Sequence, residues 1–262
     1  MRFRCIDKDS FVTETMLMLV NFGDYLLTVD SAIENLKASG LSSIMTTLGQ
    51  SGRLKSREAK KLFTAHRKRC DRDLSAFCRY STATTLYSMF EVRLRAFADD
   101  FEKTYSGKPS PKKYLDNPKS GFVQAFRAWL ETPPYEVSIP EPRFWKLLED
   151  FSSIRNCIVH GHGSRSLMKN PKLVCDAVKK TRRVSFNSDG VLVLEREFVF
   201  EVGERICAFF QLLFGAVGYA ISLPTGCAES FAKNFAGFKD EMIKKREEYY
   251  AKQIINLGGQ LG

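Results

Sequence analysis

The sequence lacks paired cysteine motifs and phosphate-binding loops, and it has few histidines. Its seven cysteines stand singly and are odd in number, which argues against both a zinc site and a disulfide framework. Loops of the GxxxxGK[ST] or GxGxxG type are absent. There are only three histidines, and with no acidic pair beside them a metal nuclease is poorly supported. We therefore expect no metal and no cofactor, and the cysteine usage favours a reducing, cytoplasmic compartment.

Long apolar runs are also scarce. The segment 206–223 is almost uncharged and about the minimum length for crossing a bilayer, but Gln211, Gly215 and Gly218 interrupt it. The buried central helix of a bundle explains this segment better than a membrane span does. Residues 1–9 are charged and have no apolar stretch of the kind that a secretory signal needs. We expect neither export nor membrane insertion.

Apolar periodicity predicts helices along most of the chain. The 262 residues are 44% hydrophobic and 12% aromatic, enough to bury a core. The first predicted helix runs from Ser10 to about Lys37 and ends at Ser39-Gly40, before a Ser/Thr/Gly stretch to Gly52. A helical pattern then covers residues 56–105, as one bent helix or two consecutive ones. Its second half carries a core stripe: Leu86, Phe90, Leu94, Phe97 and Phe101.

The second half of the chain alternates helices with turns. The predicted elements are a loop at 106–119, helices at 122–130 and 142–160, a β-hairpin at 184–194 around Asn-Ser-Asp-Gly, and helices at 200–222 and 228–255. This pattern is typical of an all-α bundle with a small hairpin insertion. We expect one domain over residues 1–262, with 1–52 as an N-terminal helical extension and 223–262 as a C-terminal helix.

Positive charge is concentrated in one region. The net charge is +10, and residues 53–80 hold ten Lys or Arg against three acids. This excess is either a solvated helix face or a footprint for a polyanion such as RNA. The candidate RNA-binding residues are the four cations of this run and the four that precede the predicted hairpin: Arg67, Lys68, Arg69, Arg72, Lys179, Lys180, Arg182 and Arg183.

The helix predicted at 142–160 contains the main candidate catalytic residues. A helical wheel places its apolar residues on one stripe: Phe144, Leu147, Leu148, Phe151, Ile154, Ile158 and Val159. Arg155 falls within this stripe, whereas Asn156 and His160 lie on the opposite face, one turn apart. Arg155 and His160 are therefore about 140° apart on a straight helix. A curled arginine, a distorted last turn or a second copy of the helix would bring them together. Without a function, they are a snorkelling arginine and a helix-capping histidine.

The segment Arg155-Asn156-Cys157-Ile158-Val159-His160 resembles the Rx4-6H signature of the HEPN superfamily. The resemblance extends over about residues 72–222 and includes an acidic residue, Glu91, after an aromatic one on an upstream helix. It implies an up-and-down helical bundle that dimerises, so that paired Arg and His residues line a composite cleft. Many members are metal-independent ribonucleases of toxin–antitoxin and anti-phage defence systems.

These residue types suit metal-free RNA cleavage, in which the 2′-hydroxyl is the nucleophile. Histidine is the residue type whose charge changes nearest neutral pH, so His160 would act as general base or acid. Arg155 would bind the phosphate oxygens, and Asn156 would orient the imidazole or hold the ribose. His162 is either an assistant or an exposed loop histidine. Glu91 either orients Arg155 or is a surface carboxylate.

The sequence thus favours a dimeric HEPN endoribonuclease, acting on RNA as a toxin or defence effector with an antitoxin or defence-system protein as a further partner. The main alternative is a HEPN-fold nucleic-acid-binding or adaptor subunit without catalysis. A weaker alternative is a structural helical protein in which the motif is accidental. The presence of both Arg155 and His160 favours catalysis, because a degenerate member would be expected to have lost one of them.

Overall fold

A computed structural model describes residues 9–54, 56–105, 109–116, 121–139 and 142–217. Helices dominate this part of the chain, together with one two-stranded antiparallel sheet, as the all-α prediction requires. The helices are α1 (Asp9–Gln50), α2 (Arg57–Lys68), α3 (Ser75–Tyr105), α4 (Lys112–Leu115), α5 (Phe122–Glu131), α6 (Pro142–Gly161), α7 (Pro171–Lys180) and α8 (Phe198–Ala216). The strands are β1 (Val184–Phe186) and β2 (Leu192–Leu194).

Helix α1 continues through the Ser/Thr/Gly stretch, so the predicted end at Ser39-Gly40 was wrong. Gly40 instead allows α2 to pack closely against α1, because a Cβ at this position would overlap the imidazole of His66 from α2. The hydroxyls of Thr46 and Thr47 donate to carbonyls one turn earlier, at 3.0 Å each. These bonds satisfy the two hydroxyls within the helix, by sharing carbonyls that also accept the helix's own bonds, so the stretch remains helical.

Helices α2 and α3 are joined by a π-helical segment, Arg69–Leu74, so the region predicted as one bent or two consecutive helices is continuous from residue 57 to 105. The hydroxyl of Ser56 caps the start of α2 by accepting from the amide of Ala59 at 3.0 Å. At the other end, the buried Ser75 hydroxyl donates to the carbonyl of Cys70 at 2.8 Å. This bond spans five residues and satisfies a carbonyl within the widened turn.

One hydrophobic core contains residues from α1, from α3 through α8 and from both strands. The stripe predicted on α3 is confirmed, since Leu86, Phe90, Leu94, Phe97 and Phe101 are fully buried. Aromatic rings from other helices surround it. The ring of Phe90 lies 5.8 Å from that of Phe209 on α8, and Phe101 lies 6.0 Å from Trp129 on α5. These edge-on contacts hold α5 and α8 against α3.

The predicted hairpin is confirmed, with Val184 opposite Leu194 and Phe186 opposite Leu192. In the turn, the Asn187 side-chain oxygen accepts from the amides of residues 189 and 191 at 3.0 and 2.9 Å, which is the turn chemistry that asparagine offers. Helix α7 was not predicted. Its start carries a local signal: Asn170 caps the amide of residue 173, and Pro171 occupies the first turn.

Helix α8 begins two residues before its predicted start, at Phe198 instead of Phe200. Ten of its side chains are buried, in agreement with the prediction of a central core helix. The predicted C-terminal helix at 228–255 lies outside the described residues. Within the described ranges, no helix combines the length and the apolar character that a bilayer span requires.

Candidate active site

Helix α6 ends in a tight loop that fixes the residues after His160. His162 adopts a left-handed conformation with φ of 48°, and Gly163 follows with φ of 79°. The Gly163 amide then donates to the carbonyl of Cys157 at 3.0 Å, and the Ser164 amide donates to that of Gly161 at 2.7 Å. These bonds use carbonyls that the end of a helix otherwise leaves without partners.

Gly163 also anchors this loop to α3 and to the hairpin. A Cβ on Gly163 would overlap the ring of Tyr80, so both the space and the positive φ require glycine. The Tyr80 hydroxyl donates to the carbonyl of Leu192, and the Leu192 amide donates to the carbonyl of Gly163 at 2.8 Å. The C-terminal end of α6 is therefore held by two other elements.

Arg155 is half-buried at the edge of the core. Its Cζ lies 5.4 Å from the centre of the Tyr87 ring, within cation–π range. Its Nη1 donates to the side-chain oxygen of Asn156 at 3.1 Å, and its Nε is buried without a hydrogen-bond acceptor among the described residues. The guanidinium is thus held by an aromatic face and a neutral amide, and none of the ion pairs found in the described ranges includes it.

Tyr87 and Glu91, one turn apart on α3, complete the surroundings of Arg155. The Tyr87 hydroxyl donates to the Ser152 hydroxyl on α6 at 2.9 Å. Burial raises the pKa of Tyr87 to about 12, with Glu91 contributing, so this phenol stays protonated at neutral pH. Burial likewise raises the pKa of Glu91, while the positive charges of Arg155 and Arg95 oppose the increase. Glu91 is therefore an electrostatic neighbour of Arg155.

The solvent-facing side of α6 differs from the prediction at one position. Val159, predicted within the core stripe, is 37% exposed. Ser152, Arg155 and Asn156 are half-buried and His160 is exposed. Val159 is followed by the exposed His160, whereas Cys157 and Ile158 before it are buried, so the exposed part of the helix end begins at Val159. Within the motif segment, Arg155, Asn156, Val159 and His160 are thus at least partly accessible, whereas Cys157 and Ile158 are buried.

The two histidines near the C-terminal end of α6 are more exposed than Arg155. His160 and His162 are both exposed, and in the described ranges neither imidazole makes a hydrogen bond or an ion pair. The third histidine, His66, is engaged: its Nε2 lies 3.2 Å from the carbonyl of Lys37 and 3.7 Å from the sulfur of Cys70. Five residues separate Arg155 from His160, or about 7.5 Å along the helix axis, and no hydrogen bond joins them.

The structure separates the two groups of predicted RNA-binding residues. Arg67, Lys68, Arg69 and Arg72 are exposed and precede Tyr80, which contacts the C-terminal end of α6, by 8–13 positions, or about 12–20 Å of helix. Lys180 and Arg182 instead line a cavity with Arg143 and Lys146, at the N-terminal end of α6. Lys179 is exposed beside them. The two groups therefore lie towards opposite ends of the motif helix.

Arg183 differs from the other cations of its group. Its Nε donates to Glu201 at 2.5 Å, and its Nη1 lies 3.3 Å from Glu195 and 3.4 Å from Glu197. These carboxylates raise the pKa of Arg183 above its ordinary value, with the hydrogen bond to Glu201 as the largest cause. The three acids neutralise this guanidinium at the junction of the hairpin and α8.

Sequence reasoning missed Tyr87 and Ser152 as neighbours of Arg155. Their signal was spacing: Tyr87 stands one turn before Glu91, and Ser152 stands three positions before Arg155, so each pair shares a helix face. The described residues contain no group of three His, Cys, Asp or Glu side chains placed to hold a metal ion. Comparisons with protein-family models, with curated proteins and with solved structures found no match.

Proposed function

We propose that the chain is a metal-independent endoribonuclease of the HEPN type, with Arg155, Asn156 and His160 as its catalytic residues. One observation carries the proposal. A half-buried arginine is held by an aromatic ring and a neutral amide, and an unpaired histidine is exposed just beyond it on the same helix. Such an arginine retains donor capacity for phosphate oxygens, and such a histidine can contact a substrate hydroxyl, as a general base must.

The proposed reaction is transesterification within the RNA chain. His160 takes the proton of a ribose 2′-hydroxyl, and the oxygen attacks the adjacent phosphorus. Arg155 donates to the non-bridging oxygens as negative charge develops on them. The bond from phosphorus to the 5′-oxygen then breaks, and a protonated imidazole supplies the proton of the leaving 5′-hydroxyl. The products are a 2′,3′-cyclic phosphate and a 5′-hydroxyl end.

A dimer accounts for the separation between Arg155 and His160. The two residues are about 140° apart around an ideal helix, and Val159, which is 37% exposed, lies between them. An apolar side chain in this position suits contact with a second copy of α6. We therefore propose a composite site in which Arg155 of one copy acts with His160 of the other.

Cleavage of total RNA in the presence of EDTA tests the chemistry. Arg155→Ala and His160→Ala are each expected to lose activity by at least about 10²-fold, the usual contribution of a proton-transfer group or an oxyanion donor. Lys172→Ala, an exposed substitution on α7, serves as the control and should cleave normally. Activity that disappears with EDTA, or that persists in both motif variants, would contradict the proposal.

Mixing the two inactive variants tests the composite site. In a heterodimer of Arg155→Ala with His160→Ala, one of the two composite sites contains both native residues, and the other contains neither. Activity should therefore return when the variants are refolded together. If each site is built within one copy, the mixture stays inactive, whereas native protein treated in the same way remains active.

The exposed cations on α2 and the π-helical segment favour one alternative, an RNA-binding or adaptor subunit without catalysis. The two candidates differ in cells. An effector of the toxin or anti-phage type inhibits growth when expressed without its antitoxin or defence-system partner, and His160→Ala relieves the inhibition. Equal growth inhibition by both proteins, with salt-sensitive RNA binding and no cleavage, would favour the adaptor.

A further inference from the structure

A cavity of about 300 Å³ opens between the N-terminal half of α6, residues 180–182 at the C-terminal end of α7, and α8. Its floor is apolar and includes the rings of Phe151 and Phe198, which are 2% and 1% exposed. Its walls carry five cations: Arg143, Lys146, Lys180, Arg182 and Arg205. The cavity adjoins a larger one of about 540 Å³, since Arg182, Glu201 and Arg205 line both.

The cations outnumber the carboxylates, and those carboxylates are already engaged. Asp150 accepts from Lys146 at 2.9 Å, and Glu201 accepts from Arg183 at 2.5 Å. Lys180, Arg182 and Arg205, by contrast, make no ion pair or hydrogen bond in the described part of the chain. All three are exposed at the cavity mouth, where their mutual repulsion favours a bound anion.

We propose that this cavity is a binding site for an organic phosphate, whose phosphate group is held by Lys180, Arg182 and Arg205. Two arginines and a lysine are the donors that phosphate oxygens attract, because guanidinium groups donate in a fork. The apolar side of the cavity offers contacts to the part of the ligand that is not phosphate. A small heterocyclic or aromatic body fits against the half-buried Leu147 and the aliphatic stems of the lining cations, above the buried rings of Phe151 and Phe198. The cavity volume of about 300 Å³ lies at the lower end of the range for small-molecule pockets.

The proposed phosphate site is separate from Arg155 and its neighbours on α3 and α6. On a helical wheel, the residues of α6 that face the cavity, at 143, 146, 147, 150 and 151, point about half a turn away from Ser152, Arg155 and Asn156. Lys146 and His160 are also about 21 Å apart along the helix axis. The inference therefore does not rest on the proposed nuclease activity, and its test needs no RNA cleavage.

Calorimetric titration of the full chain with ADP and with inorganic pyrophosphate tests the site. We expect one ADP per chain and weaker binding of pyrophosphate, which has the charge but no body for the apolar floor. The double variant Arg182→Gln/Arg205→Gln should bind ADP at least about tenfold more weakly, because two charge-assisted contacts are lost. The control is Lys169→Gln/Lys172→Gln, which removes the same charge from exposed positions outside the cavity and should retain native affinity.

Circular dichroism and the melting temperature without ligand show that both double variants are folded. Native protein that fails to bind ADP at millimolar concentration would overturn the proposal. So would equal losses in the two double variants, because that result indicates binding by net charge alone. A third contrary result is binding of single-stranded RNA that depends on Arg182 and Arg205 without any binding of ADP, which would assign these cations to an RNA track.

Discussion

The end of α6 and the turn after α7 both carry an arginine that the sequence connects with RNA, and the two are held in opposite ways. Arg183 contacts the carboxylates of Glu195, Glu197 and Glu201. Arg155 has an amide and an aromatic ring instead. A guanidinium hydrogen-bonded to carboxylates is occupied, whereas one whose direct contacts are neutral, with Glu91 only as an electrostatic neighbour, still attracts phosphate. Neither the residue type nor its position in the sequence distinguishes the two arginines. Their neighbours in the structure do.

The largest effect on this comparison is expected from the loop that holds the end of α6. Gly163→Ala places a Cβ against the Tyr80 ring at a positive φ. The free energy of unfolding should fall by about 2–4 kcal/mol, measured by urea denaturation. Gly203→Ala on α8 is the control, since a Cβ there meets no atom within 4 Å. Equal effects of the two substitutions would mean that the loop is not a rigid anchor.

A smaller effect is expected from the ring that supports Arg155. Tyr87→Phe keeps the aromatic face but removes the hydrogen bond to Ser152, which should lower the free energy of unfolding by about 1 kcal/mol. Tyr25→Phe, at a residue that is 45% exposed, should have almost no effect. A Tyr87→Phe protein as stable as the native one would show that the α3–α6 contact depends on packing alone.

Salt dependence separates occupied cations from available ones. Arg67→Gln should reduce the slope of log affinity against log salt for single-stranded RNA by about 0.7, the share of one phosphate contact. Arg183→Gln should leave that slope unchanged and instead reduce stability, more at low salt than at high salt, because its ion pairs are exposed. A reversal of these two results would show that the carboxylates release Arg183 to RNA.

The smallest effect concerns Glu91 and has a definite sign. Burial raises its pKa above the ordinary value of 4.5, so the native state holds this proton more tightly than the unfolded state does. The stability of native protein relative to Glu91→Gln should therefore fall as pH rises from 4.5 through the raised native pKa, and then level off. Denaturation of both proteins between pH 4 and 7 measures this difference. A rise with pH would mean that attraction to Arg155 outweighs burial.

The sequence predicts best where structure is local. The stripe from Leu86 to Phe101, the start of α6 at Pro142 and the hairpin turn at Asn187 all follow from periodicity or from the chemistry of one residue. The fold class follows from the same patterns. The motif segment was also recognisable, because the chain places Arg155, Asn156 and His160 within two turns of one helix.

Contacts between distant segments account for the remaining features. Gly40 indicates a helix end until His66 is seen to occupy its space. The contact of Tyr87 with Ser152 joins residues 65 positions apart, and Arg183 meets Glu201 across the hairpin. No periodicity encodes such pairs. Helix α7 was missed for a different reason: only three of its ten residues are buried, so its apolar pattern is sparse, and only the Asn170-Pro171 start indicated it.

The π-helical segment between α2 and α3 determines the side of the helix on which Arg67 and Lys68 lie. A π turn closes its hydrogen bond over five residues instead of four, so the helix before it is displaced by one position relative to an uninterrupted α-helix. One position is about 100° of rotation. Arg67 and Lys68 consequently face a different side of the bundle from the one that an unbroken helix would give them. The π-helical segment therefore decides on which side of the bundle the charge lies, while the core stripe of α3 stays in phase with its neighbours.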